Sequence, residues 1–325
     1  MDQETITVVI PAYNSSETIC ETVDSVLNQT RPPDEIIIVD DCGPDDVQAA
    51  LGERLDRVKL IRHDTNKGVS SARNTGFSAS TSSLISFLDG DDIFFPQFLE
   101  TAERIFKENT DVSMCFGGFH SAFESQFSSI KDRSIPVNPD VRFYEPETIL
   151  GQYLHDSTSP LINFGLVRRS AIDTILKDGN VFDPHSNLTG DFNYLLELLL
   201  LFKLAYIENP CGIWRLRSGS MSQNRFALWH SRFDSLTAVL KESSLKSISA
   251  KSREMLEENK RATARYCGKI LAWEGRRMAA TTHLLKEFVR APSLKTAALM
   301  VLIALNLKFK TNKNQSADWR GSNVK

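Results

Sequence analysis

"SFLDGDDIFFP", residues 86–96, sets three carboxylates, Asp89, Asp91 and Asp92, between two apolar runs. Leu84, Ile85, Phe87 and Leu88 lead in, and Ile93, Phe94, Phe95 and Pro96 follow. A short apolar run closed by turn residues reads as a buried strand, so the acids stand at a strand end. Three ionised carboxylates within four residues repel one another unless a cation offsets the charge. Hard oxygen ligands suit Mg²⁺ or Mn²⁺, and Gly90 lets the backbone turn tightly and a ligand come close. The same letters also read as a solvated acidic turn capping a helix near Pro96. The ligand order of an EF-hand is absent.

Outward from this stretch, the first 120 residues alternate in period. "ITVVIPAY", "EIIIVDD", "VKLIRHD", "SLISFLDGDD" and "DVSMCFGGFH" read as buried strands. Between them, Ile19, Val23, Val26 and Leu27 recur at helical spacing. "SARNTGFSAS" reads as a short helix, and Phe98, Leu99, Ala102, Ile105 and Phe106 line one face of another. Asn14 with Glu17 has the spacing of a capping box. Alternating strands and helices imply βαβ units in an α/β fold. Ligands of such sheets bind beyond the carboxyl ends of the strands, where Tyr13 and Asn14, then Asp40 and Asp41, then Asp89, Asp91 and Asp92 are expected to converge. Residues 124–160 read as long loops, "GDFNYLLELLLLFKLAYI" as an apolar helix, "IWRLRSGSMS" as a strand and polar loop, and the chain beyond 226 as helical.

The converging residues suit a nucleotide. Tyr13 offers a ring to stack on a base and Asp41 an acceptor for a base N–H, although packing and helix capping explain the same positions. Arg73, in "NKGVSSARNTG", reads either as a diphosphate clamp or as an ion pair to one of the acids.

"PAYNSSETI", "IIIVDDCGPDD", "NKGVSSARNTG" and "ISFLDGDDIFFP", in that order and spacing, resemble the inverting family 2 glycosyltransferases. The resemblance covers residues 5–123 strongly and 160–222 more weakly. It implies a GT-A fold, a Rossmann-like mixed sheet flanked by helices, here with a helical C-terminal extension. It also implies a nucleotide-sugar donor, usually a UDP-sugar, a glycan or lipid-linked acceptor, and Mn²⁺ or Mg²⁺. By the same resemblance Pro11, Tyr13, Asn14 and Asp41 contact the donor nucleotide, Arg73 lies near the diphosphate, Asp89 faces the donor, and Asp91 and Asp92 hold the metal. In "FDPHSNLTGDFNYLLELLL", residues 182–200, Asp191 matches the base that takes the acceptor proton. The same residue also reads as an N-cap for a helix beginning at Phe192.

Three departures from the family pattern stand out. Gly190 occupies a position where many relatives have Glu. In "WRLRSGSMS", Trp214 replaces a Tyr, and Arg217 stands where relatives often carry His; Arg cannot ligate a cation but reaches a phosphate. Cys42 and Gly43 replace a Gly/Asn-Ser pair, with Cys42 read as packing. A protein of the same fold that only binds sugar nucleotide or glycan remains the second reading, left open by Gly190 and Arg217. A Rossmann dehydrogenase is disfavoured because "PAYNSS" stands where G-x-G-x-x-G belongs.

The composition fits. The net charge of −3 gives no sign of a nucleic-acid partner. Five scattered cysteines without a CxxC suit a reducing, cytoplasmic protein, and no signal peptide is apparent. Two regions are expected, 1–225 catalytic and 226–325 helical. From Leu284 onward eight Lys or Arg face two acids around an apolar run at Ala297–Leu305. That composition suits either a packed helix with a basic tail or a peripheral helix on the inner face of the cytoplasmic membrane.

Overall fold

The computed structural model describes residues 4–127, 129–155, 160–186, 188–216, 225–242 and 247–305. Arg217, one of the expected donor contacts, lies outside them. The chain divides into two compact units, one up to Ser218 and one beginning at Gly219.

The first unit is built on a mixed sheet. In chain order it contains β1 (Ile6–Ala12), α1 (Ile19–Leu27), β2 (Glu35–Asp40), α2 (Val47–Leu51), β3 (Lys59–Arg62), α3 (Val69–Ala79), β4 (Leu84–Phe87), β5 (Ile93–Phe94) and α4 (Phe98–Glu108). There follow β6 (Met114–Phe123), α5 (Glu124–Phe127), β7 (Val141–Tyr144), α6 (Leu150–His155), β8 (Gly165–Arg168), α7 (Arg169–Thr174), α8 (Gly190–Leu201) and β9 (Leu204–Leu216). The strands run in the order β3-β2-β1-β4-β8-β6-β9-β5, with β7 beside β9. The β3-β2-β1-β4 half is parallel. β8 then inserts antiparallel to both β4 and β6, so the sheet is mixed.

The expected periodicities are realised as burial. All seven residues of β1 are buried, which fits a strand covered on both faces. α1 buries Ile19, Val23 and Val26, and α4 buries Phe98, Leu99, Ala102, Ile105 and Phe106. Because β2, β1 and β4 are parallel neighbours, with Ala12 opposite Asp40 and Val9 opposite Phe87, their carboxyl ends open on one edge.

Four expectations need correction. Residues 124–160 are not loop throughout: α5, β7 and α6 lie there. The apolar helix ends at Leu201, and "LAYI" opens the 13-residue strand β9 instead. That run is apolar under either period, so its helix–strand boundary carries no signal. α1 begins at Ile19 with Thr18 as its cap residue and no side-chain cap bond, so Asn14 and Glu17 form no capping box. Asn14 lies too far upstream, in a left-handed turn at φ 51°. α8 begins at Gly190, so Asp191 sits inside its first turn and is not the N-cap.

The second unit contains α9 (Arg225–Val239), α10 (Ala250–Trp273), α11 (Arg277–Arg290) and α12 (Leu294–Ala304). Leu271, Ala280, Leu284, Leu299 and Ile303 form its core cluster.

Candidate functional site

The strand ends gather the expected residues, and each carboxylate is held differently. Tyr13 follows β1 and is 54% exposed. The turn behind it is fixed by Asp45, which the sequence reading did not single out. Asn14 N–H donates to Asp45 Oδ1 at 3.0 Å and Ser16 N–H to Oδ2 at 2.7 Å. Burial pushes the Asp45 carboxyl up, but the donors of Ser16 outweigh it and hold it below the usual carboxylate range. Pro11 is buried inside β1.

Asp41, at the end of β2, is buried and anchors the loop before α3. Its Oδ1 accepts from Lys67 N–H at 2.9 Å and lies 2.7 Å from His63 Nδ1. Its Oδ2 accepts from Gly68 N–H at 2.7 Å. His63 Nε2 in turn meets Thr75 Oγ1 at 2.9 Å. Two lone pairs on each carboxylate oxygen leave Oδ2 able to accept one further hydrogen bond.

The acidic turn after β4 is polarised. Asp89 and Asp91 are half-exposed, whereas Asp92 is fully enclosed. Asp92 Oδ1 accepts from Arg215 N–H at 2.8 Å, and Oδ2 accepts from Asn163 Nδ2. Burial, then Asp91 and Asp89, push its carboxyl well above the usual range. Asp92, one of the two expected metal ligands, thus points inward and supports the turn from behind. Arg215 completes that support. Its Nε donates to Asp91 C=O at 2.8 Å, its Nη2 pairs with Glu21 at 2.5 Å, its Nη1 pairs with Glu124, and its guanidinium stacks 3.7 Å over the Phe127 ring. Neither Asn163 nor Arg215 was singled out by sequence. Nothing local marks Asn163; Arg215 stands in "WRLR", where the flanking departures drew the reading. Gly90 packs close: a Cβ there would lie 3.1 Å from Pro11 O.

α3 bridges the two sides of the crevice. The buried Arg73 donates through Nη2 to Asp89 Oδ1 at 2.7 Å, so the ion-pair reading holds in this state. Its Nε has no hydrogen-bond partner among the described residues. Asn74 Oδ1 accepts from Val181 and Phe182 N–H, and its Nδ2 donates to Phe182 C=O at 2.7 Å. Ser70 Oγ donates to Ser186 C=O at 2.8 Å. These bonds tie the stretch before α8 to α3 and bring Asp191 to the same edge. Burial raises the Asp191 carboxyl and Asp89 adds to the rise, while Arg73 and the Phe192 N–H, 2.7 Å from Asp191 Oδ1, draw it down. A group about 100 positions after Asp91 thus senses both Arg73 and Asp89. Gly190 has a local reason: a Cβ there would come within 2.6 Å of Ser70 Oγ.

Comparison with known proteins places the chain in a family. The family model described as "Glycosyl transferase family 2" matches residues 7–175. The chain belongs to glycosyl transferase family 2. It is 32% identical over 70% of its length, and over 83% of the relative, to the UDP-Glc:alpha-D-GlcNAc-diphosphoundecaprenol beta-1,3-glucosyltransferase WfgD of Escherichia coli. Its fold is similar to S. aureus TarS 1-349 crystallised with UDP-GlcNAc, at TM-score 0.61 and 13% identity, over 94% of this chain and 93% of that one. It is also similar to the mannosyltransferase PcManGT from Pyrobaculum calidifontis in complex with GDP-Man and Mn²⁺, at TM-score 0.56 and 15% identity, over 97% and 83% of the two chains. The chain is thus a glycosyltransferase with a GT-A-like mixed sheet and a helical C-terminal region.

Proposed function

We propose that this family 2 glycosyltransferase moves a sugar from a UDP-sugar to a lipid-linked glycan acceptor, with inversion at the anomeric carbon. The observation that carries the reading is the convergence of Asp89, Arg73 and Asp191 from β4, α3 and α8 on one edge. The activity of WfgD and the nucleotide sugar bound to TarS support the donor and acceptor classes.

In this reading the exposed ring of Tyr13 stacks on the base, and Asp41 Oδ2 accepts from a base N–H. Pro11 and Asn14 shape the turn beneath the nucleotide. Arg73 turns from Asp89 toward the diphosphate, which gives its buried, unpartnered Nε an acceptor. The described residues contain no group of three His, Cys, Asp or Glu side chains placed to hold a metal. The donor set nevertheless fits Mg²⁺ or Mn²⁺ through the half-exposed Asp91 and Asp89, since such ions take one or two carboxylates and complete their shell with phosphate and water oxygens. Bound there, the ion supplies positive charge to the departing diphosphate. Asp92 holds the turn through Asn163 and Arg215. Asp191 accepts the proton of the acceptor hydroxyl as that oxygen attacks, and a raised pKa makes it the stronger base.

The test is donor turnover. UDP-glucose, UDP-GlcNAc and GDP-mannose are assayed for binding and hydrolysis with and without Mn²⁺. Mn²⁺-dependent turnover of a UDP-sugar is expected. Binding without turnover of any donor favours the binding-protein reading, and no binding of any of them overturns the proposal.

A further inference from the structure

The second unit leaves an apolar surface uncovered. α11 and α12 turn Ala280, Leu284, Leu299 and Ile303 inward. Their opposite faces are also apolar. On α11, Met278, Leu285 and Val289 recur at i, i+7 and i+11, and on α12 so do Leu294, Val301 and Leu305. This spacing puts each trio on one helix face. Met278 is 87%, Val289 71% and Leu294 90% exposed. Single exposed hydrophobes are ordinary, but an exposed apolar face on each of two helices packed on one core marks a contact surface.

Charge identifies the occupant. The exposed Lys286, Arg290 and Lys295 border these faces. Glu287 is the one acid between Arg277 and Leu305, and Arg290 neutralises it at 3.1 Å. Lys308, Lys310 and Lys313 follow in the chain. A second copy docked on this face by a two-fold axis would bring like cations together. An anionic bilayer surface instead takes apolar side chains below its headgroups and cations among them. α12, at 11 residues, is about 16 Å long, roughly half a bilayer core. No helix among the described residues is long and apolar enough to cross a membrane. We infer that the α11–α12 face is a monotopic docking surface for an anionic membrane, lying in its plane. The inference names the membrane partner implied by the proposed lipid-linked acceptor, and to that extent rests on that reading.

The full chain is floated with vesicles of 30% phosphatidylglycerol in phosphatidylcholine, and with phosphatidylcholine alone, at 50 and 500 mM NaCl. The expected result is flotation with the anionic vesicles at low salt, reduced at least tenfold by high salt or by neutral lipid. The triple variant Val289→Asp, Leu294→Asp, Val301→Asp should float at least tenfold less, while melting like wild type and hydrolysing donor at the wild-type rate. If it fails to fold, the Ser versions at the same positions serve. Absence of wild-type flotation, or equal flotation of the variant, overturns the inference. So does a dimer in solution that the variant splits. Donor hydrolysis is read separately, so a chain that floats but never turns over sugar nucleotide defeats the transferase reading and leaves the surface standing.

Discussion

The strand-end crevice and the outer face of α11 and α12 handle their chemistry in opposite ways. In the crevice, Asp41, Asp45, Asp89 and Asp92 each accept from identified donors, and even the glycines are set by close neighbours. On the helices, cations and apolar side chains face solvent in an ordered pattern. Substitution in the crevice therefore acts through geometry and charge at the reacting groups, while substitution on the helix face leaves the fold alone and alters partition. The comparison holds only if the crevice acids separate into groups that react and groups that support.

The largest effect that would separate them is at Asp191. Asp191→Asn keeps the size of the side chain and an oxygen for the Phe192 N–H but removes the base. Transfer should slow by about 10²–10⁴-fold, with donor binding and melting temperature close to wild type. Near-normal transfer would mean that another group takes the proton. The pH profile sharpens this. The base works ionised and its pKa is raised, so the acid limb of kcat should lie above the ordinary carboxylate range of about 4. Activity should fall as pH drops through that raised value, and Asp191→Asn should abolish the limb.

Next comes the pair within the acidic turn. Asp91→Ala should melt like wild type but lose Mn²⁺-dependent donor affinity at least tenfold, as removal of one exposed carboxylate relieves repulsion when no ion is bound. Asp92→Ala should do the reverse first. It strands the Arg215 N–H and leaves Asn163 Nδ2 with Asp89 Oδ2 at 3.2 Å alone, and an unsatisfied buried group costs about 1–3 kcal/mol, read as a melting temperature lower by several degrees. Asp92 also carries a pH signature. Its folded pKa lies above the unfolded value, so the native state holds the proton to higher pH than the unfolded chain. Stability should then decline as pH rises from the unfolded carboxylate value through the raised folded one, and Asp92→Asn should flatten that decline. If both alanine variants lost only donor affinity, the division of the turn into a front and a back would be wrong.

Much of this was legible in sequence, and the limits were physical. β1, β2 and β4 announced themselves because strands covered on both faces are continuously apolar, and the acids after them had to stand at strand ends. α4 was legible because its five apolar residues share one face. The second half was harder. β9 begins in the apolar run that ends α8, so period could not divide them, and the short β5, β7 and β8 exist by pairing with distant partners. In the site, the convergence of Tyr13, Asp41, Arg73, Asp89 and Asp191 was expected from motif order. The inward turn of Asp92 was not, because its partners Asn163 and Arg215 lie 71 and 123 residues away.

A smaller effect tests why the chain departs from its family at position 190. The Cβ of any side chain there meets Ser70 Oγ, which is itself engaged with Ser186 C=O. Gly190→Glu alone should therefore displace the start of α8, at about 1–2 kcal/mol by analogy with other overpacked sites, and lower transfer together with stability. Ser70→Ala in the same chain removes the crowding Oγ without putting a glycine into α3 and, with the bond to Ser186 lost, should recover part of the melting temperature. If the double variant melted no better than Gly190→Glu, crowding by Ser70 would not be the reason for the glycine.

The smallest effect lies at Cys42, another departure from the family pattern. Its backbone is left-handed, at φ 55°, beside Asn14 at φ 51°. Asn tolerates that region; Cys gains nothing from it, and the conformation costs a non-glycine residue about 1–2 kcal/mol. The half-buried thiol recovers little, since its Sγ lies 3.6 Å from Asp64 C=O, a weak contact. Cys42→Gly removes the Cβ strain but adds freedom to the unfolded chain, worth about 0.5–1 kcal/mol in the opposite direction. The net expectation is a gain of about 0.5 kcal/mol, a rise of roughly 1–2 °C in a chain of this size, with donor binding unchanged because the Asp45 bonds to Asn14 and Ser16 stay in place. Cys42→Ala keeps the strain and loses the thiol, so it should be no more stable than wild type. A larger gain from Ala than from Gly would show that the thiol, not the backbone, is what this turn has to accommodate.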